Sequence, residues 1–134
     1  MDAPLATDSA APLARRVFRI AAVYGALTLL PMYLAEGAIG RDAPPAITHP
    51  EFFYGFLGVA LAWQWLFWRI GGEPVRLRAA MLPAILEKLA YGGAALALWA
   101  SGRLATPGLV FGLIDLGFAA GFALALRATP RSRR

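Results

Sequence analysis

Two adjacent charges, Glu87 and Lys88, sit near the middle of an apolar run that extends from Ala79 to Ala100. A run of about 20 apolar residues is long enough to cross the hydrocarbon core of a bilayer as a helix. A charge at that depth costs about 2.5–3.5 kcal/mol on insertion scales, so it requires a partner or a water-filled cavity. The stretch from Met81 to Gly93 therefore organises the chain, and the remainder reads as what surrounds and satisfies this pair. Composition agrees: 59% of the 134 residues are hydrophobic and 16% are charged, against about 45–50% and 25% in a soluble domain. Lipid, rather than a protein interior, is the expected cover for the outer faces.

Three further apolar runs give an all-α, integral-membrane four-helix bundle, with spans at about 17–39, 50–70, 79–100 and 107–126. None alternates apolar and polar residues as a barrel strand does. Residues 1–14 read as a flexible tail with little to bury. Asp2 and Asp8, without a positive n-region, argue against a cleaved signal peptide. Pro31 should kink the first span. Thr48 and Glu51 have capping-box spacing at the start of the second, and Thr106 followed by Pro107 suits the start of the fourth. Residues 128–134 form a basic tail.

Charge gives the orientation. Arg15, Arg16, Arg19, Arg69, Arg76, Arg78, Arg127, Arg131, Arg133 and Arg134 fall on one side of the four spans, and only Arg41 and Arg103 on the other. The positive-inside rule then places both termini in the cytoplasm. The expected location is a bacterial cytoplasmic (inner) membrane, in keeping with an Ala- and Arg-rich composition. Because the arginines flank apolar runs, the net charge of +5 points to anionic headgroups rather than nucleic acid. Trp68 and Phe18 fall at one boundary, and Trp99, Tyr33, Phe52, Phe53 and Tyr54 at the other, where amphipathic rings anchor.

Depth indicates which polar groups can meet. At about 1.5 Å per residue, Glu87 and Lys88 lie about 12–13 Å from the arginine-rich edge, Gln64 about 10 Å and Asp115 about 18 Å. Successive helical residues point about 100° apart, so Glu87 and Lys88 should seek different neighbours. The Lys88 stem is long enough for Asp115. Glu87 is expected to accept from Gln64 or from the indole of Trp63 or Trp65, with Tyr91 one turn away on the same face. This candidate cluster either holds the helices together or forms a polar pocket between them. A second polar group, Glu36, His49 and Glu51 with Asp42, falls near the opposite surface. A cap, a solvated loop histidine and a helix-end charge explain it better than a metal site, which needs three or four ligands.

Gly108, Gly112, Gly117 and Gly121 give two G-x-x-x-G spacings on the fourth span. Such spacings let helices approach closely, either within the chain or between copies of it in a homo-oligomer. No Walker loop, dinucleotide fingerprint, catalytic triad or zincin motif is present, so no cofactor is implied. With no cysteine, disulfides and thiolate chemistry are excluded.

The string from His49 to Phe56, followed by Trp63-Gln64-Trp65 and Leu86-Glu87-Lys88, resembles small bacterial four-span membrane proteins of no assigned function. In size and span count the chain also resembles DoxX-like proteins, a likeness of architecture that carries no functional residue. Three functions are expected, in this order. The first is a non-enzymatic structural or assembly component. The second is a binder or carrier of a small lipophilic molecule, a quinone or lipid, held between the helices in an apolar cavity with a polar end, of about 300–1,000 Å³. The third is a lipid-modifying membrane enzyme with Glu87 or Asp115 as acid/base.

Overall fold

Proline placement shapes the first helical elements of the computed structural model, which describes residues 11–43 and 45–131. Helix α1 spans Pro12–Leu29, with Pro12 in its first turn, where the absent N–H is not missed and φ is already helical. The helix thus begins inside the segment expected to be a flexible tail, and Ala11 and Ala14 are buried. The rest of that expected tail, residues 1–10, lies outside the described residues, as do residues 132–134. At Pro31 the α-helical pattern gives way to a 3-10 segment, Leu30–Leu34, because proline removes a helical hydrogen bond and crowds the carbonyl four residues back. The chain breaks at Ala35 and restarts as a short helix α2, Glu36–Asp42. The first apolar span therefore stops at Leu34 and does not continue to Ile39.

Helix α3 spans Pro50–Gly72. The expected capping box does not form: the N-cap is His49, without a side-chain cap, and Glu51 Oε1 lies 3.3 Å from His49 Nδ1 instead. A 3-10 turn, Arg78–Ala80, leads into α4, Met81–Ala100. Gly102 has φ +72° and ends α4. Its N–H bonds Trp99 O at 3.0 Å, and the Arg103 N–H bonds Leu98 O at 2.8 Å, the paired closure that requires a left-handed residue after the cap. Helix α5 spans Thr106–Ala128. Its N-cap is Ala105 rather than Thr106, and Pro107 sits in its first turn.

Among the described residues the chain is all helical, with no strand. Three helices of 23 residues, Pro12–Leu34, Arg78–Ala100 and Thr106–Ala128, are long and apolar enough to cross a membrane. Helix α3 is also 23 residues long and is not among those three. Tyr54, Trp63, Gln64, Trp65, Trp68 and Arg69 lower its hydropathy. Ile20, Leu27, Val59, Leu86, Leu113 and Leu124 are exposed, giving the helices apolar outer faces compatible with a bilayer.

Helix α1 packs along α3 and also against α5, α4 packs along α5, and α3 and α4 scarcely touch. The main core lies toward the arginine-rich end. There Phe18, Phe67 and Phe122 are fully buried together with Met81, Ala84 and Ile70. The Phe18 and Phe122 rings stack at 3.9 Å between centroids, and Phe67 meets Phe122 edge-on at 5.1 Å. Each such pair contributes about 0.5–1.5 kcal/mol beyond its buried area. Phe18 is thus a core residue and not the interfacial anchor expected of it.

At the same end, arginines meet the free carbonyls of helix C-termini, which have no intrahelical partner. Arg15 Nη1 donates to Gly72 O at 3.2 Å. Arg78 donates to Thr129 O at 2.9 Å and to Leu126 O at 3.0 Å. Arg69 and Arg76 both pair with Glu73, and Arg19 lies 4.9 Å over the Trp68 ring.

Candidate functional site

Glycines set the helix spacing around the site. A Cβ on Gly25 of α1 would fall 2.1 Å from Gln64 Oε1, and one on Gly92 of α4 would fall 2.8 Å from Gly112 O of α5. These close approaches pull α1 onto α3 and α4 onto α5. The space between the two pairs remains as a cleft of about 460 Å³, within the usual range for a site that takes a drug-sized ligand. Its walls come from all four long helices: Tyr24, Thr28 and Leu29 of α1, Phe56 and Ala60 of α3, Tyr91 of α4 and Phe111 of α5, with Met32 and Ile39 beyond them. The Phe56 and Tyr91 rings stack at 6.1 Å across the gap between α3 and α4.

One part of this lining is polar and consists of Gln64, Glu87, Lys88 and Asp115. Lys88 Nζ donates to both carboxylate oxygens of Asp115, at 3.1 and 3.3 Å, and lies 5.3 Å from the centre of the Phe67 ring. It also stands 3.4 Å from Glu87 Oε2. The adjacent residues Glu87 and Lys88 thus do approach one another, contrary to the expectation from their 100° separation, because both flexible stems turn toward the same space. Lys88 and Gln64 are 6% exposed and Asp115 9%, so the ammonium is held in a dry setting by two carboxylates. A charged pair with good geometry offsets much of the cost of burial, whereas removing one partner does not.

The expected bonds to Glu87 are absent. Gln64 Nε2 donates to Ala60 O at 2.9 Å. Gln64 Oε1 and Glu87 Oε2 are both buried and accept no hydrogen bond. Trp65 is 67% exposed and faces outward, and Trp63 packs beside Phe67, with ring centres 6.0 Å apart. Neither indole lines the cleft. Gln64, Glu87, Lys88, Tyr91 and Asp115 do line it.

Tyr24, Thr28, Phe56 and Phe111 belong to the site and were missed by sequence reasoning. Tyr24, Gly25 and Thr28 share one helical face within an otherwise aliphatic run, which was the available signal. Thr28 Oγ1 is turned back onto the Tyr24 and Gly25 carbonyls, both at 3.0 Å.

The opposite-surface group does not assemble into one site. Glu36 accepts from the Tyr54 hydroxyl at 2.7 Å, while His49 and Glu51 pair with each other on an exposed turn. Among the described residues no three His, Cys, Asp or Glu side chains are grouped to hold a metal ion. Of the α5 glycines, Gly108 abuts Leu104, Gly112 abuts Ala95 and Gly121 abuts Val17, whereas Gly117 faces open space.

The chain as a class is an all-helical protein with three helices able to cross a membrane and a cleft that ends on a buried ion pair. Compared with family models, curated proteins and solved structures, it matches none.

Proposed function

We propose that the chain is an integral membrane protein of four spans that binds or carries a small lipophilic molecule in this cleft. The observation that carries the reading is a cleft of about 460 Å³ with aliphatic and aromatic walls and one polar end at Gln64, Glu87, Lys88 and Asp115. Such a shape suits an apolar body with a polar head, because sites of this kind orient a ligand through a few placed polar groups. Helix α3 is the fourth span: it matches the others in length and packs along α1. The four spans form a bundle with the arginine-rich end in the cytoplasm, as the positive-inside rule requires. A bacterial inner membrane is the location in which that rule and the resemblance to small four-span proteins agree.

Thermal stability in detergent, screened against a panel of quinones and neutral lipids, tests the binding reading. A ligand should raise the melting temperature of the wild type. Thr28→Phe, which fills the cleft from α1, should stay folded and lose the response. Failure of every panel member to shift the wild type counts against it.

The chain contains no cysteine, so single cysteines report topology cleanly. Arg103→Cys should react with an impermeant maleimide added to intact cells, and Arg76→Cys only after lysis. The reverse pattern would invert the orientation.

A second reading, a structural or assembly component, is favoured by the Lys88–Asp115 pair itself, which ties α4 to α5. Self-association would use the side of α5 on which Gly117 is open. On this reading the charge variants lose stability and nothing else.

A further inference from the structure

The polar end of the cleft is unbalanced in a way that specifies the head group. Among the described residues Lys88 is the one cation lining it, and its hydrogen bonds both go to Asp115. Two buried oxygens remain that accept no hydrogen bond: Gln64 Oε1, and Glu87 Oε2, which meets Lys88 Nζ only as an ion pair at 3.4 Å. Gln64 is only 6% exposed, and its amide nitrogen is already bonded to Ala60 O. A buried acceptor without a donor loses the hydrogen bonds that water would give it. Two carboxyl groups, Glu87 and Asp115, thus face one lysine. Tyr24 and Tyr91 line the same cleft, but a hydroxyl can both donate and accept, so they do not decide the polarity.

Resting on the binding role proposed above, we infer that the ligand is an amphiphile whose head donates hydrogen bonds through O–H or N–H groups. A head that only accepts, such as a quinone carbonyl or an ionised fatty acid, leaves Glu87 and Gln64 unsatisfied. Two sources supply the required chemistry: a neutral hydroxylated ring, as in a hydroquinone, and a cationic alkylammonium.

Matched probes separate them. Decyl-hydroquinone and decyl-benzoquinone differ only in whether the oxygens donate. Dodecylamine and dodecanoic acid differ in the sign of the head. Affinities would be measured by thermal shift on the full chain in nanodiscs, with the hydroquinone kept reduced. The expected result is at least tenfold tighter binding of the donor in one or both pairs. Glu87→Gln should weaken dodecylamine about tenfold and change the hydroquinone little if the head is neutral. Gln64→Met should narrow the donor preference in either case.

Benzoquinone binding as tightly as hydroquinone, together with equal binding of acid and amine, overturns the inference while leaving the cleft a binding site. Absence of binding by all four probes overturns both readings. The wild-type comparison stands by itself if either variant fails to fold.

Discussion

At the arginine-rich end, Phe18, Phe67 and Phe122 fill the space between α1, α3 and α5, and none of the three rings is exposed. One or two turns further along the same helices, Gly25, Ala60, Gln64 and Asp115 border an open cleft. The same helices form both levels, which differ in side-chain size and polarity. Where large rings point inward, the helix pairs are spaced and filled. Where glycine draws each pair tight, at Gly25 against Gln64 and at Gly92 against Gly112, the volume gained within a pair reappears as space between the pairs. The filled level is held by ring packing, and the open level by the glycine contacts within each pair and by Lys88 between its two carboxylates.

Removing the ion pair's cation should give the largest effect. Lys88→Met leaves two buried carboxylates facing each other, and its expected cost is about 3–5 kcal/mol, read from denaturant unfolding in mixed micelles. Combining it with Glu87→Gln and Asp115→Asn should recover most of that loss. A single variant as stable as the wild type would show that water already solvates the cleft and would erase the contrast.

Phe122→Ala should cost about 3 kcal/mol, at the low end for a buried ring, because the unfolded reference in lipid is not water. Its cleft counterpart, Phe111→Ala, removes a half-exposed ring and should cost under about 1 kcal/mol, as substitutions away from packed features do. Equal costs for the two would mean that the cleft is as well packed as the core. Gly25→Ala should destabilise by about 1–3 kcal/mol through overpacking against Gln64. Gly117→Ala has nothing within 4 Å and should stabilise by about 0.5–1 kcal/mol, since alanine is the better helix former. A dimer packed on that face would reverse the sign, which native mass spectrometry of both proteins would detect.

The parts of this arrangement that depend on the rise along a helix were legible in the sequence. Lys88 and Asp115 were matched by depth, and the stem of Lys88 covers the difference. The parts that depend on rotation were not. In Trp63-Gln64-Trp65 only one residue can face the cleft. It is Gln64, so the indoles on either side turn about 100° away from it. Phe18 was assigned by its level to a boundary, whereas its rotation makes it the centre of the core. The end of the first span was misplaced because Pro31 was read as a kink; in the structure the helical pattern changes there and stops at Leu34. The cleft could be read only as one alternative among others, because it arises from which helices approach most closely, and glycine spacing alone does not name the partner helix.

The arginines near the ends of the spans have a second consequence. Arg78 stands before α4 yet holds the last carbonyls of α5, about fifty residues later in the chain, and Arg15 likewise fastens the end of α3. The residues that would tell an insertion machine which way to thread the chain are therefore also its clasps. On the orientation proposed above, Arg78 would bear on threading before α5 is made, whereas its clasp can close only once α5 is present. Neutralising Arg78 would disturb an early decision and a late one together. Arg78→Lys separates them: the charge that directs threading stays, while the two-pronged grip on α5 is lost.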